Sequence, residues 1–82
     1  MYDITEQVEE EYTWIQGKVL QITEKVESIE SHKSNNDIAM TYYAMASYYA
    51  KVSTARKEKN YNEFFRNMET LKGVCGSLIR SL

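Results

Sequence analysis

VEEEYTWIQGKVLQITEKVESI, residues 8–29, decides the fold. Its apolar side chains fall at Val8, Tyr12, Ile15, Val19, Ile22, Val26 and Ile29, in alternating steps of four and three. That spacing keeps one stripe of a 3.6-residue helix apolar, while the positions between are mostly charged. A seam of three heptads predicts a long amphipathic helix, helix A, over residues 3–32. Asp3 stands where an N-cap belongs, and Glu6 three residues on gives a capping-box pattern. The acids from Glu6 to Glu11 lie near the positive end of the helix dipole, where negative charge is stabilising. SHKSNND, residues 31–37, then interrupts the pattern.

Two more helices follow. Helix B is predicted over residues 36–57, capped by Asn36 or Ser34, with Asp37 in its first turn. No charged residue occurs from Ile38 to Ala50. Ile38, Tyr42, Met45, Tyr49 and Val52 share one face; Ala39, Ala46, Ala50 and Ser53 lie beside it; Met40, Ala44, Tyr48 and Ala55 fall on the far side. A helix apolar most of the way round is expected at the centre of a bundle. Helix C is predicted over residues 60–81, with Asn60 and Glu63 as a second capping-box pair. Its stripe is Tyr61, Phe64, Met68, Leu71, Cys75, Leu78 and Leu82. Gly73 and Gly76 each weaken a helix by about 1 kcal/mol relative to alanine. Gly73 is therefore expected either to end the main helix or, with Ser77, to admit a close helix contact. Short connections predict an all-α, three-helix antiparallel bundle of one domain.

Composition limits what such a bundle can be. A chain of 82 residues buries a modest share of its surface, about 60–65%, so its stability margin is thin. One cysteine, Cys75, rules out an internal disulfide, and one histidine, His32, leaves no cluster for a structural metal. Oligomerisation is the remaining route to a larger core. Proline is absent, which disfavours an all-β fold. Residues 1–12 are acidic and carry no apolar export segment, so a cytoplasmic location is expected. Helix B is too short and too rich in tyrosine to span a bilayer, so no membrane partner is expected. Lysine outnumbers arginine and Asn, Ile and Tyr are plentiful, a composition typical of AT-rich bacterial or phage genomes.

Charge is unevenly divided. Residues 1–33 hold eight acids and three lysines, whereas residues 34–82 hold four acids and seven bases. The net charge of −2 disfavours duplex DNA as a partner. In an up-down-up bundle, Glu6, Glu9, Glu10 and Glu11 are expected near Arg56, Lys57, Lys59 and Arg66, which would neutralise the asymmetry internally.

Several residues exceed what a three-helix core needs. Trp14 stands about 110° off the seam of helix A at 100° per residue, and Leu20 departs on the other side. Met40, Tyr43 and Tyr48 diverge from the main face of helix B. These five, Trp14, Leu20, Met40, Tyr43 and Tyr48, are the expected interface residues, because aromatic side chains concentrate in interface hot spots. Packing of Trp14 on Gly17 and the Lys18 stem is the plainer alternative. The β-branched seam of helix A is compatible with more than two strands in a parallel coiled coil. Tyr43 and Tyr48 also suit stacking on a base, with Lys51, Arg56 and Lys59 available for a phosphate.

No glycine-rich phosphate loop, zinc motif or nucleophile motif occurs, so neither an enzyme nor a cofactor is expected. His32 reads as a loop residue and Cys75 as a small buried hydrophobe. The reading that follows is a homo-oligomeric helical bundle that binds, bridges or inhibits another protein. The alternative is an inhibitor of phage anti-defence type that sequesters a nucleotide at subunit junctions. The weakest is a single-stranded nucleic-acid accessory protein.

Overall fold

The computed structural model describes residues 3–29 and 36–82. Three helices fill them: α1 (Ile4–Glu27), α2 (Asn36–Lys57) and α3 (Tyr61–Ser81). They form an up-down-up bundle, a rod of about 48 × 18 × 17 Å. The register of α1 against α2 is set where Glu9 meets Arg56 and Tyr12 meets Ser53, and these contacts make the two helices antiparallel.

The core is the seam anticipated from the sequence. Val8, Ile15, Ile22 and Val26 of α1 are buried, with Tyr12 and Val19 packed at their edge. From α2 come Ile38, Met45, Val52 and Ala55, and from α3 come Phe64, Met68, Leu71, Cys75 and Leu78. Ala55 is thus a core residue, not a far-side one. Tyr48 is likewise half-buried against the core. Both follow from α3, which approaches α2 more closely than α1 does and so covers a flank of α2 left open in the sequence reading. Among the described residues, no polar or charged side chain is buried.

The ends explain the lengths. Asp3 caps α1 by accepting from the Thr5 amide at 3.0 Å. The same helix stops at Glu27, short of the expected end at residue 32, and residues 30–35 lie outside the described residues. Ser28 supplies the reason. Its hydroxyl donates to the Lys25 carbonyl at 2.7 Å, and the Ile29 amide bonds the Val26 carbonyl, three residues back, in place of Lys25, four back, which tightens the last turn. Asn36 stands inside α2 as its first residue, while Ser34 and His32 fall outside the described residues.

The α2–α3 connection takes three residues. Lys59 adopts the left-handed region at φ 58°. Its amide bonds the Arg56 carbonyl at 3.1 Å, and the Asn60 amide bonds the Ala55 carbonyl at 2.8 Å. These two bonds satisfy carbonyls that α2 would leave orphaned. Asn60 then caps α3, its side chain accepting from the Glu63 amide at 3.4 Å. One residue closes one helix and opens the next.

Gly73 neither ends α3 nor lies at a close contact. The helix runs on to Ser81, and a Cβ placed on Gly73 would meet nothing within 4 Å.

Candidate functional site

The best-organised polar group lies between α1 and α2. The Tyr12 hydroxyl shares hydrogen bonds with Ser53 Oγ at 2.9 Å and with the Tyr49 hydroxyl at 3.3 Å. The two tyrosine rings stack at 6.0 Å. Arg56 lays its guanidinium 4.4 Å from the centre of the Tyr12 ring and holds both Glu9 oxygens, at 2.9 and 2.6 Å. Hydrogen bonds from Ser53 and Tyr49 favour the Tyr12 phenolate and lower its pKa, whereas burial raises that of Tyr49. The Arg56 hydrogen bonds pull Glu9 below its ordinary value. Tyr49 also lines the shallow groove between α1 and α2, and the group as a whole fixes helix register.

A second polar group joins α1 to α3. Lys72 reaches Glu11 at 3.5 Å and sits 5.7 Å from the centre of the Trp14 ring. Trp14 therefore packs under Lys72 and stays 52% exposed. Arg66 pairs within its own helix, with Glu63, instead of with the acids of α1.

The five residues considered for a nucleotide or anion do not gather on one surface of a single chain. Tyr43 is 76% exposed and tilts against Tyr42, while Tyr48 faces the core under the Lys51 ammonium at 4.8 Å. Arg56 is committed to Glu9 on the α1 side of α2. Lys59 is held in the α2–α3 turn. The shallow hollow beside Lys51 is also lined by Glu58 and Glu63, whose carboxylates oppose an anion there.

The remaining surface is the informative one. Leu20, Met40 and Tyr43 are 59%, 71% and 76% exposed. Leu20 borders a groove between α1 and α2 with Thr13, Gln16, Gly17 and Thr23. Met40 borders one between α2 and α3 with Ala44, Gly73, Val74, Ser77 and, at its end, the charged Arg80. The α1 positions from Thr13 to Leu20 that face the first groove carry no charge, and neither does α2 from Ile38 to Ala50. Among the described residues, no group of acids, cysteine and histidine is placed to hold a metal, and no helix is long and apolar enough to cross a membrane.

Comparison of the chain with protein-family models, characterised proteins and solved structures finds no match. The surface itself carries the functional argument.

Proposed function

We propose that this chain acts by contact: a non-enzymatic helical module whose bundle self-associates and binds, bridges or inhibits another protein. The supporting observation is that Trp14, Leu20, Met40 and Tyr43 stay largely exposed although the core is complete without them. Leaving several large apolar side chains in water wastes about 25 cal/mol for each Å² that a partner could cover. Isolated exposed apolar residues are ordinary, but Leu20 and Met40 each border a groove between two helices, and the groove beside Leu20 is lined by no charged residue, which is how contact surfaces are built.

Replacing Met40, and separately Trp14, Leu20 or Tyr43, by a photo-crosslinking phenylalanine tests the reading. Irradiation in extract of the cell that makes the protein should give discrete adducts, either multiples of its own 9.6 kDa or a single heavier species. Absence of adducts from all four positions would overturn it.

A further inference from the structure

Resting on that interaction reading, we infer that the α1/α2 face is a two-fold interface for a second copy of this chain, with α1 of each copy lying on α2 of the other.

The helical register carries the argument. At 100° per residue, the side of α1 that faces outward beside α2 presents Glu9, Thr13, Gln16, Leu20 and Glu27. The matching side of α2 presents Ala39, Tyr43, Ala46, Ala50 and Lys57. Both sets step by four and three as far as Leu20 and Ala50 and resume seven residues on at Glu27 and Lys57, so each is a second helical stripe on the outside of the bundle. Apart from half-buried Ala39, these residues are exposed.

Glu9–Arg56 and Tyr12–Ser53 fix which residues of α1 and α2 share a height. Counting on from them puts Leu20 level with Met45, one residue from Ala46; Gln16 likewise falls one residue from Ala50 and Glu9 one from Lys57, a rise of about 1.5 Å. A two-fold axis along the bundle keeps every height and exchanges α1 for α2. Leu20 of one copy then enters the gap over Ala46 between Tyr43 and Ala50 of the other. A large side chain opposite small ones is what a well-packed seam requires. The charges agree with the same operation. Lys57 of one copy arrives between the heights of Glu6 and Glu9 of the other, and the uncharged stretches meet each other.

The alternative two-fold, across the bundle, sets α1 on α1. It brings Leu20 towards Gln16 and Gly17 and turns Glu9 of one copy towards Glu27 of the other. Like charges facing one another disfavour it.

Area permits a stable pair. Two helices abreast, each about 35 Å long, cover about 20 Å of width, or roughly 700 Å² per copy and about 1,400 Å² in all. That lies within the range of specific complexes.

The test begins with light scattering over a tenfold concentration range, where twice 9.6 kDa is expected. Leu20→Arg should reduce this to 9.6 kDa without lowering helix content, since Leu20 lies outside the core. The second measurement mixes Leu20→Cys chains with Ala46→Cys chains, both carrying Cys75→Ala, under mild oxidation. Disulfide between the two kinds of chain should exceed the Leu20→Cys self-linked product severalfold. A monomer at every concentration, a Leu20→Arg dimer, or a predominance of the self-linked product would each overturn the proposal. A monomer that still gives a single heavy adduct from Met40 would overturn only the pairing and leave the interaction reading standing.

Discussion

Arg56 holds both carboxylate oxygens of Glu9, 47 positions away in sequence, and covers the Tyr12 ring with the same guanidinium. The planar fork suits this double task, which a lysine ammonium could not perform. Because Glu9 and Arg56 are both substantially exposed, their pairing chiefly selects register.

The first prediction concerns pH. Glu9 in the folded chain titrates below its ordinary 4.5, so its carboxylate form is favoured by folding. Its contribution is complete above the unfolded value and fades as pH falls through the lower folded one. Wild type should therefore melt above Glu9→Gln by a constant margin from about pH 7 to about 5.5, and the margin should shrink progressively as pH falls below the ordinary value of 4.5. Thermal melts across this range check it. The margin should also shrink in salt, as expected for an exposed pair. A margin unchanged at low pH would mean that the pair contributes nothing.

The second prediction isolates the Tyr12 hydroxyl. Tyr12→Phe leaves the ring stacked on Tyr49 and removes only the bonds to Ser53 and Tyr49. A half-buried hydroxyl of this kind contributes about 0.5–1 kcal/mol. In a double-mutant cycle by urea unfolding, Tyr12→Phe and Ser53→Ala should each cost about that much, and together less than their sum. Strict additivity would show that the bond carries no coupling.

Much of this architecture was legible in the sequence, because α1 and α3 obey a single rule: one stripe in, everything else out. Val8, Ile15, Ile22, Phe64, Leu71 and Leu78 fall on the anticipated stripes and are buried. In α2 the rule gives no answer, since apolar residues surround the helix. Which of Ala55 and Ala46 is buried depends on where α3 lies, a long-range fact that periodicity does not hold. Lys72 illustrates the same limit. Its contacts with Glu11 and Trp14 join residues about sixty positions apart, and nothing near Lys72 marks it. The early stop of α1 rests on a serine hydroxyl turning back to Lys25, a choice that local sequence leaves open. The residues expected at an interface differ in exposure for a physical reason. Leu20, Met40 and Tyr43 diverge from every buried stripe, while Tyr48 lies on the flank that α3 covers.

The third prediction separates core from surface. Leu71 is fully buried, so Leu71→Ala should cost about 2–5 kcal/mol. A domain of this size has about 4–12 kcal/mol in total, so that variant should unfold at far lower urea. Met40→Ala, at a side chain 71% exposed, should change stability by about 0.5 kcal/mol or less. Urea midpoints of the two variants check both. Comparable losses would mean that Met40 supports the bundle and is not held for a partner.

The fourth prediction contrasts two backbone positions where the residue and the conformation disagree. Lys59 occupies the left-handed region, which costs an L side chain about 1–2 kcal/mol and costs glycine nothing sterically. Glycine loses more freedom on folding, which offsets about half of that gain. Lys59→Gly should therefore stabilise the chain by about 0.5–1 kcal/mol. Gly73 has the opposite fault: a right-handed helical site, exposed, with open space where a Cβ would sit. Gly73→Ala should add about 0.8–1 kcal/mol. Thermal melts of the singles and the double should show increments that sum, because the two sites lie on different turns and share no partner. If Gly73→Ala gave no gain, the absence of a side chain there would serve something other than helix stability. The groove it lines with Met40 would then be the place to look for a bound partner.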